Sequence, residues 1–252
     1  MSSDAVRIED HGRVREIVID RPEARNALDT AMFDALAAAL EAADRDQAIS
    51  CLLIRGADDH FSAGWDLGEA EHPPAPPQDG REHGYPALMT ALEQLRKPIV
   101  AAVRGVAVGI GFTLLGHVDL VLVGRSARLR APFAALGLCP EAGSSATFPA
   151  LLGPQLTAEL FYTGRWLGAD EAVAAGLALR VVEDEELTDQ ARQLATAVAD
   201  QPLVSLTTTK GLLRARIDEA RQARIVEDLR FAELLRGPDH RAAVAKFMER
   251  SA

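Results

Sequence analysis

Apolar and polar positions alternate along VRIEDHGRVREIVI, from Val6 to Ile19, with a break at Asp10-His11-Gly12. The expected result is two short strands joined by a turn that the glycine supplies. Beyond Arg21-Pro22 the period changes. DTAMFDALAAALEAADRD puts Phe33, Leu36, Leu40 and Ala43 on one helical face, with Asp29 placed to cap it. ISCLLIRG is a continuous apolar run of strand length, so a strand, a helix and a parallel strand follow one another. GADDHFSAGWDLGEA, rich in glycine and polar residues, reads as a loop entering a helix.

From Glu69 to Gly84 the text EAEHPPAPPQDGREHG has four prolines within five positions and no hydrophobic period. It reads as an exposed, mobile flap. YPALMTALEQLRK restores helical spacing and stops before Pro98. PIVAAVRGVAVGIG then carries an apolar run into a glycine turn, with FTLLGHV behind it, the pattern of a buried strand feeding a helix N-terminus. Unpaired N–H groups and the helix dipole make such a junction a natural place for an anionic oxygen. DLVLVG is the next strand and LGLCPEAGSS a loop. FPALLGPQLTAELFYTGRWLGADEAVAAGLALRVV reads as helical hairpins closing on a short strand, LALRVV. The remaining text is helical and holds more helices than one sheet face needs. The division expected is an α/β core over 1–200 and a C-terminal helical subdomain over 201–252, packed on its own core or on a neighbouring subunit.

Charge narrows the partners. With 27 basic and 37 acidic residues the formal net charge is −10, which argues against nucleic acid and anionic membranes and favours a small molecule. Two cysteines, Cys51 and Cys139, without metal-ligand spacing favour a reducing compartment. No segment reaches the ~20 apolar residues that span a bilayer, so a cytoplasmic location is expected. His72 and His83 flank the prolines without a matched ligand set, and no metal is expected. His60, beside Asp58 and Asp59, reads as solvated; His117 and Asp119 read as satisfying local backbone groups. Glu141, taken alone, reads as an exposed acid in the first turn of a helix.

Five ordered blocks, RPEARNAL, GADDHFSAGWDL, PIVAAVRGVAVGIG, HVDLVL and LGLCPEAGS, resemble the crotonase (enoyl-CoA hydratase/isomerase) superfamily, and the resemblance extends from about Val6 to Phe247. It implies a spiral of ββα turns with a helical trimerisation region, assembled as a homotrimer or a dimer of trimers. It also implies an acyl-CoA thioester substrate, with coenzyme A arriving as part of that substrate and no separate cofactor. A thioester enolate would be held by two backbone N–H groups, which the resemblance places at Trp65 and Ile110. Coenzyme A contacts would come from around Ala24 and from Ala63, Gly64, Asp66 and Leu67, with Arg25, Lys246 and Phe247 as further candidates.

Side chains must then choose the reaction. The two glutamates of the family's hydratases match Thr113 and Phe133, neither of which is a carboxylate, and Phe133 also excludes water from the acyl site. PEAGSS instead places Glu141 where one branch of the Δ3,Δ2-enoyl-CoA isomerases carries its single catalytic glutamate. The reading is an isomerase that moves a 3-enoyl double bond to the 2-position, with Glu141 as proton shuttle, desolvated by its place after Pro140 and near Phe133, Leu136 and Leu138. Two alternatives stand beside it. One is a hydratase or another crotonase activity using an unrecognised acid. The other is a non-catalytic acyl-CoA or RNA-binding relative, against which the net acidity weighs.

Overall fold

The computed structural model describes residues 5–70, 80–214 and 217–251. Strands β1 (Val6–His11) and β2 (Val14–Ile19) pair antiparallel around Gly12, which turns at a φ of 63°. Asp29 caps helix α1 (Thr30–Arg45), accepting a hydrogen bond from the Met32 N–H at 2.8 Å. Strand β3 (Cys51–Gly56) then lies parallel to β2. Its unbroken apolar run has a simple cause, since both of its faces are covered. Leu52 and Ile54 join the core under α1 and α3 (Tyr85–Gln94), while Cys51 and Leu53 pack with Ala191, Ala195 and Ala199 from the opposite side.

The main sheet is completed by β4 (Ile99–Val103), β6 (Leu120–Gly124) and β9 (Arg180–Val182), in the order β1-β2-β3-β4-β6-β9, and only β1 runs against its neighbour. A second sheet departs from the sequence reading. Where one glycine turn is expected after β4, the chain turns at Gly105 into β5 (Val106–Val108), which pairs with β7 (Arg128–Arg130) and through it with β8 (Leu167–Gly168). Strands of two or three residues are too short to show a period of two. The helix that follows, α4 (Ile110–Thr113), is a single turn, continued by a 3₁₀ turn over Leu114–His117. Helix α2 (Leu67–Ala70) is equally short. The flap expected over 69–84 falls largely on 71–79, which lie outside the described residues.

Helices α5 (Ser144–Leu152), α6 (Pro154–Thr163), α7 (Ala169–Ala174) and α8 (Leu187–Ala199) fill the second half of the core. They are followed by α9 (Leu203–Leu213), α10 (Ile217–Leu235) and α11 (Pro238–Ser251). Helix α10 lies against α5, where a Cβ on Gly143 would stand 2.6 Å from the Ala220 carbonyl oxygen. Helix α11 returns over the 3₁₀ turn Ala134–Leu136, with His240 Nδ1 2.7 Å from the Leu136 carbonyl. No described helix is long and apolar enough to cross a membrane.

One charged group ties three elements together. The fully buried Glu16 on β2 receives Arg55 Nε from β3 at 2.6 Å and Arg192 Nε from α8 at 2.7 Å. Burial alone raises its pKa, but the hydrogen bonds from Arg192 and Arg55 outweigh it and hold the carboxyl below its ordinary range. Glu16→Ala leaves two guanidinium groups without their partner and is expected to cost about 3 to 5 kcal/mol in urea unfolding. A loss near zero would show that the ion triad contributes nothing to the fold.

Candidate active site

Two backbone amides and one carboxylate converge on a cavity of about 720 Å3 that Trp65, Ile110 and Glu141 line together. The first amide is oriented by strand pairing. Trp65 bridges Leu28 in parallel, the Leu28 N–H donating to Gly64 O at 2.7 Å and the Asp66 N–H to Leu28 O at 2.9 Å. Successive N–H groups in extended chain point to opposite sides, so the Trp65 N–H faces away from Leu28. On that other side lies β5. Gly64, at a φ of 92°, comes so close that an added Cβ would sit 2.5 Å from Val108 O. Only glycine permits this approach.

The second amide begins a helix. Gly109, at φ 53° and ψ −124°, caps α4, and its own N–H is tied to Arg130 O at 3.0 Å. Ile110 is therefore the first helical residue, and its N–H has no intrahelical acceptor. A one-turn helix carries little macrodipole, so the anion-binding capacity expected of this junction resides in the N–H itself. The carboxylate stands close by. A Cβ placed on Gly109 would lie 3.8 Å from Glu141 Oε1.

Glu141 is only 6% exposed, which overturns its reading in isolation as an exposed acid and agrees with the desolvation expected of it beside Phe133, Leu136 and Leu138. Burial first, and then the charges of Glu227 and Asp228, push its pKa up from the ordinary 4.5 to about 8. Its loop is held by backbone contacts. The Ala142 N–H donates to Tyr85 Oη at 2.8 Å, and His117 Nε2–H donates to Ala142 O at 2.7 Å. That imidazole stays neutral, because burial lowers its pKa to about 4. His117 and Asp119 thus serve structure, Asp119 accepting from the Ile99 N–H at 2.9 Å and from Lys210 Nζ at 2.7 Å. His60 is half-buried rather than solvated, its Nδ1 accepting from the Val106 N–H at 3.3 Å.

Of the residues singled out from the sequence, Ala63, Gly64, Trp65, Ile110, Phe133 and Glu141 share the cavity wall, together with Arg25 and Lys246. Ala24 closes the 3₁₀ turn Pro22–Ala24 just before Arg25, and the Asp66 carboxylate is taken up by Arg21 Nη1 at 2.7 Å. Leu67 opens α2. Thr113 and Phe133 offer no acid. The Thr113 hydroxyl donates to Gly109 O at 3.2 Å, and the Phe133 ring stacks edge-on against Phe161. Sequence reading missed Trp166 and Arg130 in the wall, and the contributions of Phe231, Leu235 and Val244 from α10 and α11. Among the described residues Glu9, His11 and Glu16 gather their ligand atoms within 4.8 Å, but Glu16 is already committed to two arginines.

Comparison with known proteins identifies the family to which this fold belongs. Residues 9–252 match the Enoyl-CoA hydratase/isomerase family, and the chain belongs to it. It is 36% identical over 211 residues to the 1,2-epoxyphenylacetyl-CoA isomerase of Escherichia coli K12, covering 82% of this chain and 79% of that one. It is 35% identical over 214 residues to a carnitinyl-CoA dehydratase of Salmonella paratyphi A, covering 84% and 81%. The structure of an enoyl-CoA hydratase/isomerase from Pseudoalteromonas atlantica T6c superposes with a TM-score of 0.95 at 35% identity, over 98% of each chain. The crotonase fold with its C-terminal helices is thereby shown, and the chain is an acyl-CoA enzyme of this family.

The burial of Glu141 has a consequence for stability. Between about pH 4.5 and 8 the folded protein keeps a proton on Glu141 that the unfolded chain releases, so the group's stabilising contribution is lost as pH rises through that window. Glu141→Gln is expected to gain stability over wild type progressively from pH 5 to pH 9, by up to a few kcal/mol, in thermal melts across that range. A difference independent of pH would place the carboxylate in solvent.

Proposed function

We propose that this protein is a Δ3,Δ2-enoyl-CoA isomerase. The carrying observation is that Glu141 is the one carboxylate among the described residues of the cavity wall, opposite the Trp65 and Ile110 amides. Moving a double bond from C3 to C2 takes one proton from C2 and delivers one to C4, and a single base on one face does both. The Glu141 carboxylate removes the C2 proton, and the electrons pass into the thioester to form a dienolate. The N–H groups of Trp65 and Ile110 hold its oxygen, a contribution of about 3 kcal/mol per donor. Protonated Glu141 then returns its proton to C4. A base near pKa 8 is poised for both halves of this exchange.

The neighbouring side chains support an acyl-CoA substrate. Arg25 and Lys246, both exposed, put positive charge at the cavity for the phosphates of coenzyme A, with Ala24, Ala63, Gly64, Asp66 and Leu67 as the backbone contacts. Phe133, Leu136 and Leu138 give the acyl chain an apolar wall and supply no second carboxylate to activate an attacking water. The isomerase name of the Escherichia coli relative favours the same class of reaction. The dehydratase name of the Salmonella relative keeps hydration as the rival reading.

Paired 2- and 3-enoyl-CoA substrates decide between them. Wild type is expected to form the conjugated thioester from a 3-enoyl-CoA without taking up water, and Glu141→Gln to lower that rate by about 100- to 10,000-fold while binding coenzyme A as before. Unchanged turnover in the variant, or stereospecific hydration of the 2-enoyl-CoA by wild type, rejects the proposal.

We assign the residues 201–252 to a helical subdomain used in assembly, as a homotrimer or a dimer of trimers. Val204, Leu212 and Leu213 on α9, and Ile225, Val226 and Leu229 on α10, are 49–82% exposed, an apolar surface of the kind monomers rarely present. Light scattering is expected to give three or six times the mass of the chain, and Leu213→Glu to reduce it. A wild-type mass of one chain would overturn the assignment. A cytoplasmic location is our reading of the two cysteines without metal-ligand spacing, which suit a reducing compartment.

A further inference from the structure

Helix α5 begins where a side chain would ordinarily cap it, but its cap residue, Gly143, has none. The missing acceptor is delivered from another helix. Glu227 of α10, 6% exposed, accepts the Gly143 N–H on Oε2 at 2.7 Å and the Ser145 N–H on Oε1 at 2.8 Å. Its neighbour Asp228 reaches the same loop through an intermediary. Tyr85 accepts the Ala142 N–H and hydrogen-bonds Asp228, which also receives Arg224 Nη1 at 3.1 Å. Arg224 is anchored in turn on the buried Glu93 at 2.7 Å. Three backbone amides around the bend, those of Ala142, Gly143 and Ser145, are thus held by α10 directly or through α3. The bend itself is strained, since the fully buried Ala142 sits at a φ of 62°.

A cap needs no charge. No side chain at position 143 could serve, since its Cβ would stand 2.6 Å from the Ala220 carbonyl oxygen, yet the acceptor that α10 delivers instead is an acid, and a second acid beside a buried Glu141 destabilises the fold by like-charge repulsion. We propose that Glu227 and Asp228 are positioning residues for Glu141: they lock the loop that carries it and hold negative charge beside it, so that it retains the proton it must hand back. This rests on the isomerase reading of the site. The titratable groups around Glu141 are Glu227 and Asp228 from α10, Tyr85 from α3 and Cys139 from its own loop, with Arg25, Arg130, His240 and Lys246 elsewhere on the same cavity wall, while His117 behind Ala142 is neutral. Burial keeps Tyr85 protonated far into the alkaline range and pushes the Cys139 thiol up, so the two α10 acids are the charges that matter.

The test uses the full-length assembled protein with Glu227→Gln, Asp228→Asn and Glu227→Asp, and reads the pH dependence of kcat for a 3-enoyl-CoA. In wild type the rate is expected to climb with pH through about 8. Removing a neighbouring negative charge lowers the Glu141 pKa, so the climb is expected to move about half a pH unit or more toward acid in Glu227→Gln and in Asp228→Asn. The plateau in Glu227→Gln is expected to fall about tenfold, because one amide carbonyl replaces two carboxylate oxygens. Glu227→Asp restores the charge and should return the midpoint to the wild-type position. A purely structural role would lower thermal stability and leave every midpoint where it was, and that result overturns the proposal. Carbon-13 titration of the labelled Glu141 carboxyl needs no turnover and only a folded Asp228→Asn variant. An unmoved carboxyl midpoint refutes the proposal, whereas absent isomerisation by wild type refutes the reading of the site.

Discussion

Enclosing Glu141 with two further acids nearby is the constraint that the surrounding structure has to accommodate. A carboxylate moved from water into an apolar wall shifts toward its neutral form, and like charges push it further the same way. The molecule tolerates this because the neighbours are themselves satisfied. Glu227 is stabilised by two backbone N–H groups, and Asp228 by Arg224 and Tyr85. Burial raises Glu227 and Asp228 as well, but Glu141 is the carboxyl that lines the cavity among the described residues. A buried acid without a cationic partner differs in this from a structural ion group such as Glu16 with its two arginines.

The amides impose a second demand, which is met by backbone geometry rather than side chains. Trp65 follows a glycine that fits against Val108 with no room for a Cβ, and Ile110 follows a glycine with a positive φ. The bulky groups at 65 and 110 turn away into packing, the Trp65 ring edge-on to Phe33 at 6.1 Å and Ile110 1% exposed. A donor N–H at the cavity and a packed side chain are therefore compatible in the same residue. The small sheet of β5, β7 and β8 sets the spacing, since the Gly109 N–H is fixed to Arg130 of β7.

Legibility from the sequence followed the length of each pattern. Helix α1 and strand β3 were readable because sixteen and six consecutive residues repeat one period or one apolar run. Strands β5, β7 and β8 are three residues long or less and carry no period, so a whole sheet went unseen. At the site, Glu141, Trp65 and Ile110 were legible through ordered motifs with glycine and proline at fixed places. The desolvation of Glu141 was legible in part, from Pro140 and the apolar residues at 133, 136 and 138, but the approach of α10 was not, because nothing in PEAGSS announces it. Glu227 was invisible for the complementary reason: in RIVEDLRF an acid beside an acid reads as solvated helix surface.

Helix α10 shows why such a residue escapes detection. Its hydrophobic positions do not form one stripe: Ala220 and Phe231 turn toward α5 and the cavity, while Ile225, Val226 and Leu229 face outward. A helix apolar on two sides loses the single-face signature that identifies amphipathic segments, and its inward acids cannot be told from its outward ones. Two surfaces on one helix also carry a physical consequence. Anything that packed on the outer apolar side would restrain the same backbone that presents Glu227 and Asp228 to the loop, so that side and the placement of Glu141 draw on one element rather than two.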